Sequence, residues 1–208
     1  MCGRYNIDFE DEDEYDEILA KVDKKVREKL NPRGLQAIKG DIYPTNYAPI
    51  LYHKGTHMEA GVFRWGFCNT KNKGIIINAR QETANEKNMF RNCLEARRCI
   101  ILSTGFYEWD AQKRKYFFQN KGTKMLYMAR LYNFYENDMR FVILTTKANA
   151  SMESIHDRMP VILQKDQIKT WLSDTTKARK LIAEQMPLLD VRRMEEPFEQ
   201  LSFFLRIS

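Results

Sequence analysis

The strongest constraint on the fold is a succession of short apolar runs rich in β-branched and aromatic residues. They read "APILYH" at 48–53, "GVFRWGF" at 61–67, "GIIINAR" at 74–80, "CIILSTGF" at 99–106, "KYFFQN" at 115–120, "KMLYMARLY" at 124–132 and "FVILTTK" at 141–147. Runs of this kind, separated by turn residues, are strands. A further short strand is expected at "CGRYNI", residues 2–7. Helices interrupt them only rarely. An amphipathic helix is expected over "EDEYDEILAKVDKKVREKL", where Tyr15, Ile18, Leu19, Val22, Val26 and Leu30 recur at three- and four-residue spacing before "NPRG" stops it. Others are expected near 83–97 and across "KDQIKTWLS" and "TKARKLIAEQ". Many strands with few intervening helices argue for an α+β protein with a largely antiparallel sheet, because wound parallel sheets need a crossover between successive strands. At 208 residues the chain suits a single domain, 1–208, with a core large enough to need no disulfide staples.

Charge and cysteine usage narrow the function. Of the formal +6, residues 1–17 contribute eight acids against one base, so residues 18–208 hold 33 bases against 20 acids, an excess of +13. The acids sit in the first turns of the expected helix and the bases towards its end, which suits the helix dipole and needs no separate acidic-tail function. The basic body fits a polyanionic partner, since Lys and Arg neutralise phosphates; solvated helix faces are the bland alternative. Cys2, Cys68, Cys93 and Cys99 form no C-x-x-C pair and lack a His-rich companion, so no metal site or redox dithiol is expected. No stretch approaches the roughly 20 apolar residues of a membrane span, and no apolar leader opens the chain. A cytoplasmic protein, nucleoid-associated in a bacterium, is expected.

Four short stretches carry chemistry. In "MCGRY", removal of Met1 would leave Cys2 with an α-amine of pKa about 7.7–8.0 beside a thiol near 8.5. Such an amine is a better Schiff-base nucleophile than a lysine of pKa about 10.4, and the neighbouring thiol can close an imine into a five-membered thiazolidine. A chance small residue after Met is the alternative. In "IIINAR", Asn78 ends an apolar strand and Arg80 projects from the same side two residues on, where a guanidinium can grip a phosphate. A charged strand terminus at the surface explains the same residues. In "STGFYEWD", Glu108 stands between Tyr107 and Trp109, and partial desolvation by these rings would raise its pKa towards proton-transfer duty. The alternative is a surface glutamate on an alternating strand. In "SIHDRMPVIL", His156 is the best general-acid candidate among three histidines, with a purely structural histidine as the alternative.

Together the ordered motifs "MCGRY", "YPTNYAPIL" at 43–51, "FRWGF" at 63–67, "INARQET" at 77–83, "GFYEW" at 105–109 and "IHDRMPVIL" at 155–163 resemble the SOS response-associated peptidase (SRAP) family, whose members shield abasic sites in single-stranded DNA. The resemblance implies an α+β fold with a barrel-like, mainly antiparallel core and flanking helices. It also implies that Cys2, after loss of Met1, forms a thiazolidine with the abasic-site aldehyde. Asn78 would position the reacting groups, Glu108 would move protons and His156 would assist sugar ring opening. Arg4 and Arg80 would hold flanking phosphates, and Pro44 and Trp65 would help form the surface on which bases stack. No cofactor is implied, and the expected partner is abasic single-stranded DNA bound by a monomer, without membrane or metal. After Gly66 the family usually has a longer loop; here "FCNTKNKG" is short and polar, and a reduced stacking wedge is expected. The other classes compatible with the residues are a thiol peptidase using Cys2 and a non-covalent nucleic-acid-binding module.

Overall fold

A computed structural model describes residues 2–8, 39–55, 57–69, 74–136 and 138–194. The amphipathic helix expected over 12–30 and the C-terminal stretch from 195 lie outside them. The strands follow in the order β1 (Arg4–Ile7), β2 (Gly40–Ile42), β3 (Tyr47–Lys54), β4 (His57–Trp65), β5 (Phe67–Cys68), β6 (Ile75–Ile76) and β7 (Asn78–Arg80). After helices α1 (Gln81–Ala84) and α2 (Asn88–Ala96) come β8 (Arg98–Ser103), β9 (Gly105–Trp109), β10 (Lys115–Asn120), β11 (Leu126–Tyr135) and β12 (Asp138–Lys147). The described chain ends with β13 (Arg158–Pro160), β14 (Ile162–Leu163), helices α3 (Gln167–Ser173) and α4 (Thr175–Leu181), and β15 (Leu189–Arg193).

The main sheet closes on itself. Strand β3 pairs antiparallel with β4 and β8, β8 with β11 and β11 with β12, and β12 returns to β4 in parallel at Arg140–Arg64 and Phe141–Trp65. This five-strand ring is the barrel implied by the family resemblance, and it removes the exposed edges of an open sheet. Its closing seam sets Arg64 opposite Arg140, a repulsive pair that Asp138 offsets at 3.9 Å from the first and 3.2 Å from the second. The inner side chains include Ile50, Phe63, Trp65, Ile101, Met128, Phe141 and Ile143, all buried. A second sheet, in the order β15-β10-β9-β1-β2, packs its inner face, with Tyr5, Phe106 and Phe118, into the same core. Alternation along β9 puts Phe106 and Glu108 inward and Gly105, Tyr107 and Trp109 on the other face.

Strand β12 outruns the ring. Its first half pairs with β11 and β4; its second half, Ile143–Lys147, has β7 on one side in parallel and β13 on the other in antiparallel register. The span near 83–97 that reads as one helix in the sequence is two, with "NEK" between them, and α2 buries Phe90, Cys93 and Leu94. Among the described residues, no helix is long and apolar enough to cross a membrane, and no group of three His, Cys, Asp or Glu side chains is placed to hold a metal ion.

Gly105 marks a close approach between strands: a methyl group there would collide with the carbonyl oxygen of Phe118 and with the ring of Phe117. The carbonyl belongs to the ladder and has no rotamer by which to retreat. Gly105→Ala is therefore expected to lower unfolding stability by about 1–3 kcal/mol, measured as a shift in the denaturant midpoint.

Candidate active site

Cys2 precedes β1 and is buried, with 1% of its surface exposed. It is held through its main chain: the Asn78 Nδ2 donates to the Cys2 carbonyl at 3.1 Å. Asn78 occupies the first position of β7, fixed by parallel register with Ile143. The Cys2 thiol points towards the Arg4 carbonyl, with Sγ 3.8 Å from the oxygen. Burial pushes this thiol up to about 12; the nearby Glu108 carboxylate raises it further and the Arg130 guanidinium opposes the rise. In the encoded chain the thiol is thus almost wholly protonated at neutral pH, unlike the free side chain considered from sequence.

Glu108 is 3% exposed on the inward face of β9. Its pKa is raised by burial, against the influence of His156. The elevated value expected from sequence is present, but its cause differs. Tyr107 and Trp109 lie on the opposite face of the strand, so the barrel interior desolvates the carboxylate. His156 ends a tight loop in which its N–H bonds to the Met152 carbonyl at 3.0 Å. Its Nδ1 meets the Arg158 backbone N–H at 3.0 Å and lies 3.0 Å from a carboxylate oxygen of Asp157, contacts that fix the orientation of the ring.

One clasp joins these elements. The Arg158 guanidinium meets both carboxylate oxygens of Glu82 at 2.6 and 2.8 Å and donates to the Thr145 carbonyl at 2.8 Å. It ties α1, which follows Asn78 and Arg80, to β13, which follows His156. The fork holds the Glu82 carboxyl below its ordinary range. Arg158 was visible in "IHDRMP" only as a neighbour of His156; its role depends on Glu82, 76 residues away.

The residues expected to bind DNA separate into three environments. Arg80, in register with Thr145, is exposed two positions beyond Asn78. Arg4 is half-buried on the outer face of β1, its guanidinium 4.5 Å from the Tyr43 ring centre, 5.1 Å from Trp109 and 5.8 Å from Tyr107, with Asp41 at 3.8 Å. Pro44 lies half-buried in the turn between β2 and β3, beside Tyr43, which is 40% exposed. Trp65 requires a correction. It is 0% exposed, its ring packed 5.2 Å from Tyr5 and 6.1 Å from Phe141, and its Nε1 bonded to the Ile77 carbonyl at 3.0 Å. No face is left for a base. Trp65 acts on the Pro44 turn through the backbone, accepting from Thr45 N–H and donating to the Asn46 carbonyl, both at 2.9 Å. The exposed aromatic beside Arg4 is Tyr43, which sequence reasoning passed over because an isolated surface tyrosine carries no pattern.

With this geometry in place, comparison with known proteins is decisive. The family described as SOS response associated peptidase (SRAP) matches residues 1–196. This chain belongs to the SRAP family. It is 32% identical over 187 residues to "Abasic site processing protein YoaM" of Bacillus subtilis strain 168, covering 83% of this chain and 79% of that one. It is 25% identical over 181 residues to "Abasic site processing protein YedK" of Escherichia coli K12, with the same coverage. A crystal structure of a Bacteroides thetaiotaomicron protein shares the fold at TM-score 0.73 and 22% identity, over 93% of this chain and 92% of that one.

The buried carboxyl of this SRAP chain gives a pH signature. Below the ordinary glutamate value of 4.5 the Glu108 carboxyl is protonated in both folded and unfolded states. Above it the unfolded chain releases the proton while the fold retains it, so the folded state binds more protons and loses stability as pH rises to the elevated value. Glu108→Gln is expected to melt at the same temperature as wild type near pH 4 and at a higher temperature near pH 8, followed by calorimetry.

Proposed function

We propose that this chain, after removal of Met1, captures abasic sites in single-stranded DNA as a covalent thiazolidine on Cys2. The observation that carries the reading is that Asn78 holds the main chain of Cys2 and Glu108 acts on its thiol, with His156 in turn acting on Glu108. The relatives' names as abasic site processing proteins agree with it. An abasic deoxyribose equilibrates between a closed hemiacetal and an open aldehyde. His156 assists opening by giving a proton to the ring oxygen as the ring C–O bond breaks, and takes one back as the anomeric hydroxyl becomes the aldehyde. The Cys2 α-amine then adds to the aldehyde carbon, the protonated Glu108 carboxyl gives its proton to the carbinolamine hydroxyl, and water leaves, forming an iminium and a Glu108 carboxylate. The thiol gives its proton to the Glu108 carboxylate as sulfur bonds to the iminium carbon; the C=N electron pair returns to nitrogen and the ring closes. One water is lost overall. Asn78 holds the Cys2 carbonyl so that amine and sulfur both face the sugar, and Arg80 and Arg4 hold flanking phosphates, with Pro44 and Tyr43 beside the neighbouring bases.

The order of bond formation matters. A thiol pushed up to about 12 is a poor first nucleophile at neutral pH, which argues for the amine attacking first and the sulfur second. The same burial weighs against a general thiol peptidase, despite the family's description. A simple non-covalent binder, the reading that the basic body alone would allow, makes no use of the buried or half-buried Asn78, Glu108 and His156.

Incubation of the Met1-processed protein with an abasic single-stranded oligonucleotide, followed by heating and a denaturing gel, tests the proposal. A heat-stable adduct is expected from wild type and absent from Cys2→Ala and from chain retaining Met1, while Glu108→Gln slows its formation by roughly 100-fold. Folded, processed wild type that gives no adduct would sink the reading.

A further inference from the structure

Arg130 lies at the centre of β11 with 0% of its surface exposed. Its guanidinium carbon is 4.7 Å from the Tyr5 ring centre, 4.9 Å from Phe141 and 5.8 Å from Trp65, a box of three aromatic faces. One nitrogen, Nη2, reaches the Met128 sulfur at 3.8 Å. Among the described residues Nε and Nη1 have no acceptor, and no carboxylate forms an ion pair with the group. A guanidinium removed from water without a counter-charge is expensive even with aromatic faces around it. Its location indicates what the charge serves.

Ladder register places Arg130 in one row with Cys99, Ile143 and Asn78: Arg130 faces Cys99 on β8 and Ile143 on β12, and Ile143 faces Asn78 on β7. Residues opposite one another across neighbouring strands project to the same face, so Asn78 and Arg130 share a face two strand spacings, or about 9.6 Å, apart. Asn78 grips the carbonyl of Cys2, and Tyr5, stacked on the guanidinium, lies three residues along from Cys2. The ionisable groups around the guanidinium are the Tyr5 phenol and the Cys2 and Cys99 thiols; Glu108 approaches Cys2 from β9. Of these groups only Cys2 belongs to the bond-forming centre and develops negative charge in the proposed chemistry.

We propose that Arg130 is a positioning residue of the Cys2 centre, a fixed positive charge built into the barrel that favours negative charge on the Cys2 sulfur during ring closure. This rests on the thiazolidine reading. As the S–H proton passes to Glu108 and sulfur bonds to the iminium carbon, Arg130 gains and loses no atoms; it lowers the energy of the thiolate in a site where burial alone opposes ionisation. Arg130 thus acts on closure of the ring and leaves formation of the imine to the amine.

The test compares Arg130→Met, which keeps the volume and removes the charge, with Arg130→Lys, which keeps the charge. Reaction of Cys2 with methyl methanethiosulfonate between pH 7 and 9, read by mass spectrometry of the Cys2 peptide, needs no DNA. The rate is expected to fall about tenfold in Arg130→Met, one unit of thiol pKa, and to recover to within about threefold of wild type in Arg130→Lys. With abasic DNA, Arg130→Met is expected to accumulate imine that borohydride reduces while closed ring falls by a similar factor. Equal thiol reactivity in wild type and folded Arg130→Met overturns the proposal. Loss of all adducts in wild type overturns the capture reading instead and leaves the thiol assay standing. If Arg130→Met does not fold, nuclear magnetic resonance of the Arg130 Nε–H decides. Cys2→Asp, relative to Cys2→Asn, should move that signal if the guanidinium faces position 2, and coincident signals overturn the proposal.

Discussion

Strand β12 belongs to the barrel for half its length and to the site for the other half. Its first residues close the ring by pairing with β11 on one side and β4 on the other; beyond Phe141 β7 takes the place of β4, and beyond Ile143 β13 takes the place of β11. A backbone with two free edges must fill them or leave buried N–H and C=O groups unpaired. The strands that fill them carry Asn78 at the start of one and follow directly from His156 in the other. The hydrogen-bonding demand of an overhanging strand therefore places two of the candidate site side chains, and the parallel step from β4 to β12 fixes where the overhang begins. Trp65 and Phe141, paired across that step and stacked within 12° of parallel, fill the interior beneath it.

The second sheet supplies the remaining partners from the other side. Strands β1 and β9 are antiparallel neighbours, so Tyr5 and Phe106 face one another inward, and Glu108 follows on the same side. The same alternation turns Arg4, Tyr107 and Trp109 outward as a cationic and aromatic group at the surface. The dry inner face that carries Glu108 and the outer cationic and aromatic face, the ones proposed for proton transfer and for bases and phosphates, thus arise from one pleat.

Burial has opposite consequences for the two acids at the centre. It keeps a proton on Glu108 to higher pH than water would, as the proton-transfer role proposed for it requires. It also suppresses the Cys2 thiolate, which in the proposed reaction favours an amine-first order and is opposed by the buried Arg130 cation. Arg158 and Glu82, a forked pair at the rim, hold the two loops in register without entering this chemistry.

The amino-acid sequence by itself determined most of the strands, because β-branched and aromatic runs between turn residues carry a local signal that packing did not override: each of the seven apolar runs falls mainly in strand, "KYFFQN" with the same limits, while "GVFRWGF", "GIIINAR" and "CIILSTGF" are each divided between two strands. It also determined the candidate centre, since Cys2, Asn78, Glu108 and His156 each stand in a short recognisable motif. Only the tertiary structure decided the rest. The parallel closure joins segments about 76 residues apart and leaves no mark in either strand. Trp65 in "FRWGF" is expected, on the family resemblance, at a base-stacking surface; its burial followed from which face of β4 met Phe141. Arg130, inside an apolar run, reads as an outward-facing charge until ring closure turns it inward. Side-chain direction along a strand is a local property, but which direction is inside depends on what the sheet closes around.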